Sequence, residues 1–131
     1  MDINYLAVGL AALSTFFIGF LWYTVVFAKV WQKEMGMTSH DAEAKTPNMA
    51  KLLIGSFILE LVMAFNLALF IGQDADWLFG LAAGLAAGCG WVALAFGINY
   101  MFEGKSLRLW LINAGYNTVI FAVMGLIIGA L

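Results

Sequence analysis

Four stretches of this chain, Tyr5 to Phe27, Leu52 to Gly72, Trp77 to Phe102 and Leu109 to Leu131, hold a single charged side chain between them, Glu60 in the second. A bilayer core about 30 Å thick is crossed by about 20 residues of helix, and each stretch is long enough. Lipid offers no hydrogen bonds to a bare backbone, so a spanning segment closes its bonds within a helix or within a closed barrel. None of the four shows the alternation of apolar and polar residues that a barrel strand needs. The expected fold is therefore all-α: one membrane domain over residues 1–131, a bundle of four transmembrane helices at about 5–27, 52–72, 77–102 and 109–131. The longest connection is a polar loop at about 29–51.

Composition leaves little alternative. The chain has 131 residues, 64% of them hydrophobic and 11% charged, where soluble domains have about 45–50% apolar and about 25% charged residues. A chain this short cannot hide that much apolar surface in one water-exposed core. The residues before the first stretch, Met1 to Asn4, carry no positive charge, and the run is too long for a signal-peptide core, so it reads as a retained helix. A net charge of −2 with no basic tract excludes nucleic acid as a partner.

All six Lys and Arg fall in two connections. Lys29, Lys33, Lys45 and Lys51 lie between the first and second stretches, and Lys105 and Arg108 between the third and fourth. The positive-inside rule places both connections in the cytoplasm and both chain ends outside, an N-out, C-out topology. Thr38 with Asp41 reads as a capping box for a short helix in the long loop. Thr46 and Pro47 read as N-cap and first residue of the second span. Trp22, Tyr23, Phe27, Trp31, Tyr100, Phe102 and Trp110 near one interface, and Tyr5, Trp77 and Phe79 near the other, form aromatic belts.

Glu60 is the costly residue. A charge deep in a bilayer costs about 2.5–3.5 kcal/mol on insertion scales. A carboxyl reduces that cost by holding a proton, by accepting hydrogen bonds from Asn and Tyr, or by hydration from the cytoplasmic side. At about 1.5 Å per residue, Glu60 and Asn117 lie about 12 Å from the cytoplasmic starts of their spans, with Ser56 and Asn113 one turn shallower. Asn99 and Tyr23 count back to the Ser56 level. Glu60, Asn117, Asn113, Ser56, Asn99 and Tyr23 thus form a candidate intramembrane polar site in the cytoplasmic half. Asn66, about 120° around its helix from Glu60, belongs to another contact.

Gly80, Gly84 and Gly88, with a weaker pair at Gly125 and Gly129, give flat surfaces for close helix packing. The pattern leaves open whether the partner helix is in the same chain or a second copy. With few internal surfaces in a four-helix unit, a homo-oligomer is expected.

Three motifs, Gly19-Phe-Leu-Trp-Tyr23, Phe102-Glu-Gly-Lys-Ser-Leu-Arg-Leu-Trp110 and Ile112-Asn-Ala-Gly-Tyr116, together with length and layout, resemble the small bacterial membrane proteins catalogued as domain of unknown function 1761. The resemblance covers nearly the whole chain. It implies a multi-pass protein of the bacterial inner membrane and no particular activity. Typical members carry a proline soon after the Trp-Tyr pair, where this chain has Thr24 and Val25.

No Ser/His/Asp set, phosphate loop or metal spacing appears, and the single cysteine, Cys89, and single histidine, His40, stand apart. An enzyme is not expected, nor a catalytic residue, a metal or a cofactor. Two readings remain. One is a small proton-linked transporter or channel subunit with Glu60 as its titrating residue and a substrate that the sequence does not name. The other is a non-transporting membrane protein whose polar cluster holds its helices together.

Overall fold

The computed structural model describes residues 3–34 and 49–131, and every element among them is helical. Helix α1 (Tyr5–Phe20) continues into a π-helical segment, Leu21–Val26, and is followed by the short α2 (Ala28–Glu34). Helix α3 is Met49–Ile71. Helix α4 (Trp77–Ala87), a second π-helical segment (Gly88–Val92) and α5 (Ala93–Glu103) form one continuous rod, and α6 is Leu107–Ala130. Four rods are long and apolar enough to cross a membrane: Tyr5–Val26, Ala50–Ile71, Trp77–Glu103 and Leu107–Ala130. The chain is a four-span membrane protein.

The helix ends follow local chemistry. Side chains of Asn4, Asp76 and Ser106 accept the backbone N–H groups of Ala7, Phe79 and Leu109 at 3.1, 2.8 and 3.1 Å, the usual N-cap arrangement. Gly72 and Gly104 end α3 and α5 with φ of 82° and 71°, which glycine adopts without a Cβ clash. The second and fourth spans start earlier than their apolar runs, at Ala50 and Leu107. Lys51 and Arg108 fall inside these helix ends because long basic side chains reach the interface from there. The loop expected over 29–51 contains most of α2 and the start of α3. The capping readings at Thr38, Asp41, Thr46 and Pro47 lie outside the described residues.

Helix α6 is the hub. Of its best apolar window 39% is buried, against 11% for the span built on α3. Helix α4 lies along α6, and α1 packs on both α6 and α3. Asn4 Nδ2 donates to the carbonyl of Leu131 at 3.2 Å, so the start of the first span and the end of the fourth meet at one face of the bundle. The dry core, including Val8, Ala11, Ala64, Leu67, Ala83, Phe121 and Met124, lies toward that face. Outward-facing Phe102, Met101 and Trp91 are 90%, 83% and 69% exposed, as expected when lipid is the solvent.

The glycine stripe has its partner within the chain. A Cβ built on Gly80 would stand 2.1 Å from the Gly125 carbonyl oxygen, one on Gly84 would stand 2.0 Å from that of Phe121, and one on Gly129 would stand 2.3 Å from that of Asp76. Helices α4 and α6 therefore touch backbone to backbone, and only glycine permits it. Gly88 faces the Asn117 carbonyl and Phe121 in the same seam. The stripe is used up inside the subunit and lends no support to self-association.

Candidate functional site

The polar residues of the basic half surround an open cleft of about 460 Å³ between the second and third spans. Helix α3 packs on α1, α6 and α4 but does not run along α5, and this gap is the cleft's mouth. Its lining includes Tyr23, Ser56, Glu60, Phe96, Tyr100, Asn113, Tyr116 and Asn117.

Two of the motifs that carry the family resemblance build its back wall by interlocking. Trp22 donates its indole N–H to the Ile112 carbonyl at 2.8 Å. Its ring passes over Gly115, where a Cβ would lie 3.0 Å from it, and Tyr116 reaches back over Gly19, with its hydroxyl 3.1 Å from a Cβ there. The rings of Tyr23 and Tyr116 meet edge to face at 5.1 Å. Trp110 uses Gly97 in the same way and donates to the Ala93 carbonyl at 2.8 Å. Trp22 and Trp110, expected as interfacial anchors, thus bond within the bundle. Ser106, which caps α6, also donates to the Glu34 carboxylate and ties α2 to the start of the fourth span.

Asn113 is the centre of a network. Tyr23 donates its hydroxyl to Asn113 Oδ1 at 2.6 Å, and Asn113 Nδ2 donates to the Tyr100 hydroxyl at 2.7 Å, linking three spans. Asn117 Nδ2 donates to the Asn113 carbonyl one turn back, at 2.8 Å. Interhelical bonds of this kind contribute about 0.6 kcal/mol each on average. Asn113→Ala removes two of them and strands two hydroxyls. It is expected to lower stability by about 1–2 kcal/mol, read as a shifted unfolding midpoint in detergent. The exposed Asn99→Ala is expected to shift nothing.

Glu60 stands outside this network. Its Oε2 is sequestered from solvent and has no hydrogen-bond partner among the described residues. The neighbouring polar group across the α1–α3 contact is the Thr15 hydroxyl. That hydroxyl has one hydrogen, and it is donated to the Ala12 carbonyl at 2.6 Å. Thr15 is thus the side chain by which α1 meets the Glu60 carboxyl. With the second span beginning at Ala50, Glu60 is about 15 Å from either end, at the bilayer midplane and deeper than the sequence count gave. Thr15 and Asn117 are at the same level by the same count.

Five of the six expected site residues meet at this cleft, namely Tyr23, Ser56, Glu60, Asn113 and Asn117. Asn99 does not; it is exposed, and Tyr100 takes its place. The cause is the π-helical segment Gly88–Val92. In an unbroken α-helix Asn99, eleven residues after Gly88, would return to the side that faces α6. The wider π turn absorbs an extra residue and rotates the rest by roughly 100°, which brings Tyr100 inward. The first span is distorted too: Phe27 N–H reaches the Trp22 carbonyl at 2.9 Å, five residues back, and the Thr24 hydroxyl bonds the Phe20 carbonyl. Such back-bonding bends helices, and the span deforms at this point. Thr15, Tyr100 and Tyr116 were not among the expected site residues. Thr15's midspan depth, and the one-turn spacing of Tyr116 from Asn113, are the signals that point to two of them.

The family model described as Protein of unknown function (DUF1761) matches residues 6–129. No curated protein and no solved structure matches the chain.

Proposed function

Because the chain belongs to the DUF1761 family, whose description carries no activity, we propose its function from the cleft: Glu60 takes up and releases the proton of a small proton-linked transporter or channel subunit. The observation that carries this reading is the partnerless Glu60 oxygen. A carboxyl kept only as helix glue would have both oxygens hydrogen-bonded, since an unsatisfied buried acceptor costs about 1–3 kcal/mol. Asn113 and Asn117 each direct an amide N–H elsewhere, to the Tyr100 hydroxyl and the Asn113 carbonyl. The structural role therefore belongs to the asparagines. Ionisable groups inside membranes mark proton and substrate pathways, and a midplane position suits a site reached from both faces.

On this reading the protein is a carrier and not an enzyme. It lies in the bacterial inner membrane with both ends outside, and a second copy completes the pathway that one open subunit leaves unwalled. The test is a compound panel applied to proteoliposomes with a trapped pH indicator. At least one compound is expected to collapse an imposed pH gradient only when the protein is present. A panel spanning cations, anions and neutral solutes with no protein-dependent proton movement removes the transport reading.

Orientation is tested separately, in a Cys89→Ala background. Asp74→Cys is expected to react with a membrane-impermeant maleimide on intact cells, and Lys105→Cys only after permeabilisation. The reverse pattern inverts the topology.

A further inference from the structure

We propose that the ligand of the cleft is a lipophilic organic cation, entering sideways from the bilayer between α3 and α5 and taking the place of the proton on Glu60. This rests on Glu60 being the titrating group and adds the substrate class. Glu60 is the only charged side chain among the described residues that line the cleft. An anion would meet the negative charge of the ionised carboxyl with no cationic side chain among those lining residues to offset it, and the Tyr23 hydroxyl and one Asn113 N–H are already committed to Asn113 and Tyr100. A bare metal cation prefers a cage of several oxygens, whereas most of this wall is carbon.

The wall suits a different kind of positive charge. Phe96, Tyr100, Tyr23 and Tyr116 line the same cleft as the carboxyl, and aromatic faces attract organic cations, most strongly when desolvated. One face of Tyr100 already holds the Lys105 ammonium, 5.5 Å from the ring centre. Next to the cleft, and sharing Met63 with it, lies a second hollow of about 330 Å³ lined by Leu67, Phe70, Trp91 and Phe121 among others. A flat apolar substituent fits there while its charge sits at Glu60. Together the two hollows reach the usual volume of small-molecule sites, about 300–1,000 Å³. The gap between α3 and α5 faces the lipid, where such molecules concentrate.

The exchange balances. The carboxyl O–H bond breaks, the proton passes to water at the basic-loop end of the cleft, and one monovalent cation replaces it, so the site stays neutral.

The probe is tetraphenylphosphonium, bound at equilibrium to the full chain in lipid nanodiscs across a pH series. Affinity is expected to rise about tenfold per pH unit until Glu60 is fully deprotonated, with one proton released per cation bound. Tetraphenylborate, of the same shape and opposite charge, is expected not to compete. Glu60→Gln is expected to lose the pH dependence and to bind at least about tenfold more weakly. Phe96→Leu keeps the acid and weakens phosphonium binding, which covers the case in which the Gln protein fails to assemble. Infrared difference spectra of the carboxyl separate the two levels of the argument. A carboxyl band that titrates without phosphonium binding overturns the substrate class and leaves the proton site standing. A carboxyl that never titrates overturns both. Equal binding of tetraphenylborate, or undiminished pH-dependent binding by Glu60→Gln, also overturns the proposal.

Discussion

Gly84→Val protein is expected to unfold well before the parent, whereas Gly90→Ala is expected to unfold with it. A Cβ at Gly84 would come within 2.0 Å of the Phe121 carbonyl oxygen and 2.8 Å of its carbon, while one at Gly90 meets nothing within 4 Å. The obstruction at Gly84 is main chain, which cannot rotate aside as a side-chain tip can. Helices α4 and α6 must separate along their whole seam, and the packing lost at Gly80, Gly88 and Gly125 goes with it. Overpacking a core costs about 1–3 kcal/mol, and this site belongs at or above the top of that range. Circular dichroism during a denaturant titration in detergent gives the comparison. Coincident midpoints for the two variants mean that the seam is not in backbone contact.

Glu60→Gln is expected to bring proton-coupled flux down to the level of protein-free liposomes while leaving the unfolding midpoint no lower than the parent's. Glutamine has nearly the shape of glutamate and cannot exchange a proton. The parent side chain has an oxygen with no hydrogen-bond partner among the described residues, and an amide keeps the contact that the carboxyl makes with Thr15. A drop in stability as large as that of Asn113→Ala would assign the carboxyl to holding helices together. Full flux in the Gln protein would take the proton away from this residue altogether.

The architecture was legible because bilayer physics leaves few choices. Long uncharged runs must be helices, and the runs were counted correctly to within a few residues at each end. That Glu60 shares a level with Asn117, and Ser56 a shallower one with Asn113, could be counted for the same reason, though the level itself was set a few ångströms too shallow. What could not be counted was rotation. Asn99 sits on the expected side only if the third span is α-helical throughout, and nothing in the Gly88 to Val92 sequence announces a π turn. Hydrogen-bond allocation was equally hidden. The expectation was only that a carboxyl at this depth could accept from Asn and Tyr donors, and whether Asn113 reaches Glu60 or Tyr100 depends on where three helices converge. The partner of the glycine stripe was undetermined because small residues advertise close approach without naming what approaches.

Burial along α3 is lopsided. Ala64, Leu67 and Ile71 are packed away at its Gly72 end, while no residue from Ala50 to Met63 is fully buried. Across the gap, the third and fourth spans are joined main chain to main chain and act as a single stiff beam. Compliance is therefore concentrated in one member of the assembly. On the proton-exchange reading, a change at Glu60 is most easily accommodated by moving the less buried half of the second span about the connection after Ile71, which widens or narrows the gap like a jaw hinged at one end.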